Sequence, residues 1–284
     1  MSATLRFGVI GRNIEYSRSK AVFEAVFRLV GVDGSFEVIS CEDVELGTHL
    51  TRLRKGELRG LSVTVPFKNR VVPMVDKVGA TAEQIEAVNS ICSRRGKLLG
   101  FNTDVVGVSR ALADHREVLA GGHALLIGSG GGARAVLFSL VRDIGVKDVT
   151  VLGRSTESLD GFRQAAETVI EGPRLRTCVS GSDALSSGDK FDIVINCTPL
   201  GGWNHAEESP LPEGWTWEMT RVYFDLNYNA DNAAVAAAKA SGTASVDGSI
   251  MLVAQALRSL AIWTGQTMPF GPVYEAVFGA GGKD

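Results

Sequence analysis

The feature that most constrains this chain is the run Ala124-Leu125-Leu126-Ile127, followed at once by Gly128-Ser129-Gly130-Gly131-Gly132-Ala133. A stretch with no polar side chain on either side of the pleat belongs to a strand covered on both faces, as strands of parallel sheets are. Glycines directly after such a strand, and a helical pattern from about Gly132 to Arg142 after them, make the tight strand-to-helix turn that admits a pyrophosphate. Gly128 permits the turn, Gly130 lets the backbone approach a phosphate, and Ala133 is small enough for helix and strand to pack closely. The first turn of the helix then offers unpaired N–H groups and the positive end of its dipole to an anion. A second strand, Val149-Thr150-Val151-Leu152, follows about 20 residues on, which completes the context of a dinucleotide-binding unit.

The end of that second strand selects the cofactor. An NAD site usually places Asp or Glu there to bind the ribose 2′-hydroxyl. This chain has Gly153-Arg154-Ser155, with no acid. A guanidinium binds a 2′-phosphate through charge-assisted hydrogen bonds, whereas a carboxylate would repel it. Arg154 and Ser155 therefore predict NADP.

Apolar runs alternate with helical patterns along the whole chain. Strands are predicted at Leu5–Ile10, Ser35–Ile39 and Leu61–Val65, with helices over Ser19–Val30 and about Asp43–Lys55 between them. The series resumes after Gly121-Gly122 with strands at Val149–Leu152, Leu175–Val179, Ile193–Ile195 and Val222–Phe224. Helices are predicted over Ala233–Ala240, Ser249–Trp263 and Pro272–Phe278. The alternation predicts parallel α/β layers. A length of 284 residues suits two domains, with a boundary near residues 104–122.

Bulk properties remove several classes. The net charge is −3 and basic residues are dispersed, so neither a nucleic-acid footprint nor an anionic membrane surface is indicated. No apolar run approaches the roughly 20 residues that span a bilayer. The start, Met1 to Arg6, lacks the pattern of a signal peptide. Cys41, Cys92, Cys178 and Cys197 are far apart, which fits reduced thiols in a cytoplasmic protein. His49, His115, His123 and His205 are equally scattered, and no metal site is expected.

A dehydrogenase of alcohols or ketones needs a proton donor beside the reacting oxygen. Two candidates stand at strand ends: Lys68, after Ser62-Val63-Thr64-Val65-Pro66-Phe67, and Asp104, in Gly100-Phe101-Asn102-Thr103-Asp104. On bulk statistics alone, each reads first as a solvated surface charge and only second as a catalytic group.

In order along the chain, these segments resemble the shikimate dehydrogenase family. Gly11 to Ser19 resembles its Ser-x-Ser segment, with Ser17 and Ser19 at the positions that grip the substrate carboxylate. Ser62 to Lys68 is similar to its Asn-Val-Thr-x-Pro-x-Lys motif, which implies a catalytic Lys68 and a substrate contact at Thr64. Ala87-Val88-Asn89-Ser90 places Asn89 on the ring hydroxyls, and Phe101 to Gly107 carries the family aspartate as Asp104. Asn196 to Gly201, including Thr198, resembles the segment near the nicotinamide. Asp225-Leu226-Asn227-Tyr228 sets Tyr228 at the family tyrosine. Asp247 to Gln255 resembles the last motif, with Gly248 toward the cofactor and Gln255 toward the substrate.

The resemblance implies an N-terminal α/β substrate domain over residues 1–106, completed by C-terminal helices in 247–284, and a doubly wound Rossmann domain over 107–246 that binds NADP. It implies reversible reduction of 3-dehydroshikimate to shikimate in the cleft between them, by a monomer or homodimer. Tyr16 stands where the family has histidine, Lys20 and Ala230 where it has proline, and Ser62 and Gly153 where it has asparagine. These departures leave quinate or aminoshikimate dehydrogenase as alternatives, together with a catalytically weak NADP-binding regulatory protein. Methylenetetrahydrofolate dehydrogenase shares the two-domain plan, but it would not explain Ser17, Ser19 and Gln255 together.

Overall fold

The computed structural model describes residues 4–170, 174–181, 185 and 189–279. The chain divides into two compact units, one formed by the residues up to Gly107 with those from Leu252 onward, the other by Val108–Met251.

In the first unit the elements are β1 (Leu5–Gly11), α1 (Ser19–Val30), β2 (Gly34–Ser40), α2 (Leu46–Arg54), β3 (Gly60–Val63), β4 (Lys77–Val78), α3 (Ala80–Gln84), β5 (Ser90–Arg94), β6 (Lys97–Phe101) and the start of α4 (Asp104–Ala111). The strands form a sheet in the order β2-β1-β3-β5-β6-β4. Its β5 runs antiparallel to both neighbours, so this sheet is mixed rather than purely parallel. The reason is local. Arg95 and Gly96 both adopt positive φ, 52° and 76°, which is the geometry of a two-residue hairpin that reverses the chain.

The two faces of this sheet have different cores. Leu61, Val63 and Ile91 point toward α2, where Leu46, Leu50 and Leu53 are buried. On the other face, aromatic rings stack: Phe23 lies 4.4 Å from Phe36, and Phe7 and Phe23 each lie 5.4 Å from Trp263. Trp263 is fully buried and its indole sits directly on Gly60, where any Cβ would collide with it. Truncating an aromatic anchor of this kind costs about 3–5 kcal/mol.

The second unit continues with α5 (Arg116–Leu119), β7 (His123–Ile127), α6 (Gly131–Phe138), β8 (Asp148–Gly153), α7 (Thr156–Glu167), β9 (Arg174–Val179), β10 (Phe191–Asn196), β11 (Thr220–Asp225), α8 (Ala233–Ala240) and β12 (Ala244–Val246). Then α9 (Ser249–Thr264) and α10 (Phe270–Phe278) close the chain. The second sheet runs β12-β11-β10-β7-β8-β9, all parallel. This is the doubly wound Rossmann order, whose direction of winding reverses between β7 and β10. As the sequence requires, Ala124 to Ile127 are at most 5% exposed.

The helix expected to reach Arg142 is α-helical only to Phe138 and widens into a π-helical turn over Ser139–Ile144. Val136, Leu137, Leu140 and Ile144 stay buried throughout, so the change affects the hydrogen bonding and not the inward face. Among the described residues, no helix is long and apolar enough to cross a membrane.

Candidate active site

Sheet direction decides where the candidate residues of the first unit fall. β1 and β3 pair in parallel, and β3 and β6 are each antiparallel to the β5 between them, so all three point the same way. The loops leaving their C-terminal ends therefore share one edge of the sheet. Those loops carry Ser17, then Thr64 and Lys68, then Asn102 and Thr103, while Ser19 and Asp104 open the helices that follow and Asn89 precedes β5 at the same edge. Backbone bonds join them: Val63 N–H donates to Asn89 at 2.7 Å, Asn89 N–H to Phe101 at 3.0 Å, and Val88 N–H to Lys68 at 2.9 Å.

At that edge Lys68 Nζ donates to Asp104 Oδ2 at 2.7 Å, with side chains 15% and 5% exposed. The other carboxylate oxygen, Oδ1, accepts from Asn89 Nδ2 at 2.8 Å. Asn89 Oδ1 in turn accepts from the Thr103 N–H at 2.7 Å, so neither end of that amide can rotate freely. Gln255 Oε1 lies 3.3 Å from Asn89 Nδ2, and Gln255 Nε2 donates to Leu252 O at 3.1 Å. Thr103 and Ser259 hydroxyls are 3.0 Å apart, both buried. Removing one member of a buried ion pair strands the other charge and costs about 3–5 kcal/mol. Chemically, the result is an ammonium fixed in one place and still within reach of solvent, suited to give a proton to an oxygen set beside it and to take it back.

Thr103 and Ser259 were not among the residues singled out from sequence. Ser259 follows Gln255 by four positions on α9 and so shares its face, a signal hidden inside an apolar run. Ser17 and Ser19 lie on the loop after β1 and the first turn of α1, where Ser19 N–H approaches Ser17 Oγ at 3.4 Å. Thr64 is anchored by its N–H to Ile10 O at 2.9 Å. Tyr16 is half-buried, and burial, reinforced by Glu15, pushes its phenol up; it remains a neutral hydroxyl at neutral pH. Ser62 is buried, opposite Ser90 in the neighbouring strand.

The second unit holds the remaining candidates. Gly128 adopts φ +105°, in the region that favours glycine, and its N–H donates to Leu152 O at 2.7 Å. A Cβ built there would lie 2.9 Å from Thr198 Cγ2, so the loop after β10 packs against the glycine turn. Ser129 and Gly130 lead into α6, where Gly131, Gly132 and Ala133 form the first turn and no side chain caps the N-terminus. Among the described residues other than its chain neighbours, no heavy atom lies within 4 Å of a Cβ built at Gly130, and Gly131 is half-exposed. Arg154 is exposed just after β8, and Ser155 Oγ caps α7 by accepting from Ser158 N–H at 3.3 Å. Gly153 faces Leu159, 2.6 Å from a built Cβ, so a larger side chain there would displace that leucine. Gly248 donates to Asn227 O at 2.9 Å, and Tyr228 is half-buried after β11. An open glycine turn, a helix N-terminus and an arginine at the second strand end fit a phosphorylated dinucleotide. Among the described residues, no group of three or more His, Cys, Asp or Glu side chains is placed to hold a metal ion.

A Rossmann sheet with its glycine turn, and a second α/β unit bearing a largely buried Lys68–Asp104 ion pair, define the class: a two-unit, dinucleotide-dependent oxidoreductase. The model of the shikimate dehydrogenase substrate-binding domain matches residues 9–91, and that of the shikimate 5′-dehydrogenase C-terminal domain matches residues 251–278. The chain belongs to the shikimate dehydrogenase family. It is 30% identical over 278 residues, 97% of each chain, to the shikimate dehydrogenase (NADP(+)) of Pelodictyon phaeoclathratiforme. To that of Chlorobium chlorochromatii it is 32% identical over 281 residues, again 97% of each. The crystal structure of shikimate dehydrogenase from Aquifex aeolicus superposes with a TM-score of 0.83 at 27% identity, covering 98% of this chain and 99% of that one. The Thermus thermophilus enzyme in complex with NADP(H) and shikimate gives 0.79 at 28% identity, covering 96% and 98%.

Proposed function

We propose that this chain catalyses the reversible, NADP-dependent reduction of 3-dehydroshikimate to shikimate. The observation that carries the reading is the Lys68–Asp104 pair, 2.7 Å apart at the sheet edge where Asn89, Thr64, Ser17 and Ser19 also stand. The names of the relatives support the same substrate and cofactor.

NADPH, when bound, supplies the hydride that turns the ring ketone into an alcohol. The glycine turn from Gly128 to Ala133 would hold its pyrophosphate, and Arg154 with the N-terminus of α7 would bind the 2′-phosphate. Lys68 delivers a proton to the carbonyl oxygen as negative charge builds there, and accepts it in the reverse direction. Asp104 orients Nζ, and Asn89 holds Asp104 in turn, so the proton leaves from one fixed position. Ser17 and Ser19 bind the substrate carboxylate, while Asn89, Thr64 and Gln255 bind ring hydroxyls. On this reading residues 1–106 with 247–284 handle substrate and 107–246 handle NADP, in a cytoplasmic monomer or homodimer.

Because Ser62 offers a hydroxyl where the family has a carboxamide, the test includes its close substrates. Initial rates are measured with shikimate, quinate and aminoshikimate, each under NADP+ and NAD+. The highest kcat/KM is expected for shikimate with NADP+. Turnover of quinate or aminoshikimate in the absence of shikimate turnover would overturn the substrate assignment, and faster reaction with NAD+ would overturn the cofactor.

A further inference from the structure

The last rung of the second sheet places three residues side by side. Ile127 of β7 pairs with Asn196 of β10, and Asn196 pairs with Asp225 of β11. The next residue along each strand belongs to a loop: Gly128 of the glycine turn, Cys197 and Leu226. Asp225 is fully buried. Its carboxylate accepts from Tyr223 Oη at 2.8 Å, from Asn196 Nδ2 at 3.0 Å, and from Asn227 through N at 2.9 Å and Nδ2 at 2.8 Å. Each of these donors is neutral.

The two asparagines tie this anion to the loop after β10. Asn196 Oδ1 accepts from Thr198 N at 3.0 Å and Thr198 Oγ1 at 2.7 Å, and Asn196 Nδ2 donates to Leu200 O at 2.9 Å. Asn227 Nδ2 donates to Thr198 O at 3.1 Å and Leu200 O at 3.2 Å. Thr198 is the residue that packs on Gly128. A chain of direct contacts therefore runs from Asp225 to the turn that holds the pyrophosphate.

We propose that Asp225 is a positioning residue of the cofactor site, holding the Thr198–Gly202 loop against the glycine turn through Asn196 and Asn227. This rests on the reading of that turn as the NADP site. Two oxygens without a hydrogen can receive all of these donors at once. A carboxamide would turn an NH2 toward N–H groups and force Asn196 or Asn227 to rotate away, which would release Thr198 and Leu200. A buried carboxylate without a cation is an expensive way to satisfy donors. Burial pushes the Asp225 carboxyl up, against the hydrogen bonds from Asn196, Asn227 and Tyr223 that favour the anion. Strand pairing alone would not call for such a group. Perturbed carboxyls of this kind gather at functional sites, and this one stands at the switch point where a dinucleotide binds.

The test uses the full-length enzyme and its Asp225→Asn variant, with NADP+ as the probe. Binding is measured by calorimetric titration, and protection of the Thr198 and Leu200 amides by hydrogen–deuterium exchange without cofactor. Losing hydrogen bonds to a charged acceptor predicts a Kd for NADP+ about tenfold weaker. Faster exchange at both amides is predicted with it, while KM for shikimate stays within about twofold. An Asp225→Asn protein with unchanged Kd and unchanged exchange would overturn the proposal. If that variant does not fold, Asn227→Ala cuts the ties to Thr198 and Leu200 and must weaken NADP+ to a similar degree; unchanged binding there is equally fatal. Wild-type protein that binds no NADP+ would instead defeat the underlying reading, so the two failures are distinguishable.

Discussion

The two units each bury an aspartate at the edge of a sheet, and they treat it in opposite ways. Asp104 has a cation at 2.7 Å and an amide on its other oxygen, and its partner Lys68 retains some exposure. Asp225 has only neutral donors and no exposure. The first arrangement sets an ammonium group beside the carboxylate; the second surrounds the carboxylate with asparagine and tyrosine donors, of which the asparagines also reach the loop after β10. Burial alone therefore does not reveal what a carboxylate does, and the charge and mobility of its partner do.

Substitutions can break the comparison. The largest effect is expected for Asp104→Asn, which leaves the Lys68 ammonium without its anion and frees Asn89. Loss of a positioned acid–base function typically costs about 10²–10⁴-fold, so kcat should fall at least 100-fold, with NADP+ binding within about twofold of wild type. A loss confined to a raised KM for NADP+, with kcat unchanged, would erase the distinction between the units. The equivalent change at Asp225 should do the reverse, weakening NADP+ about tenfold while sparing shikimate.

The smallest effect is thermodynamic. Because the Asp225 carboxyl is raised above its ordinary 3.8 in the folded state, the folded protein holds that proton more tightly than the unfolded chain. Its contribution to stability is fully present below the ordinary carboxylate value and is lost as pH rises through the raised one. Melting temperatures of wild type and Asp225→Asn, compared from about pH 4 upward, should shift steadily in favour of the variant. A constant gap across that range would mean that no proton is taken up at this position on folding. Asp76 has the opposite sign. The Leu98 N–H and Arg54 hold it below the ordinary range, so its contribution persists at neutral pH and disappears on acidification.

What was legible in the sequence was mostly local. The apolar strand, the glycines and the helix after them form one continuous segment, and backbone rules read it directly. Arg154 was legible because it stands at the next strand end. Lys68 and Asp104 were legible as candidates at strand ends, and the family motifs gave them roles. Their meeting is a property of the sheet, since 36 residues separate them and only the direction of β3 and β6 brings their loops together. The β5–β6 hairpin carries a weak sequence signal, because Arg95-Gly96 lacks the Asn or Asp that usually opens such a turn. α7 carries Leu159, Phe162, Ala165 and Ala166 at helical spacing, all buried, so its signal is present in the sequence. Asp225 was invisible for a different reason. Asn196 and Asp225 are 29 residues apart, and each reads alone as a polar residue at a strand end. Only the register of β10 on β11 sets one against the other.

Lys68 is proposed to transfer the proton in an NADP-dependent oxidation of shikimate. Steady-state turnover of Lys68→Ala, paired with calorimetric titration of NADP+ into the same protein, tests it most directly. The expected result is a kcat lower by about 10³-fold or more, with Kd for NADP+ within about twofold of wild type. Undiminished kcat in a folded Lys68→Ala protein would contradict it.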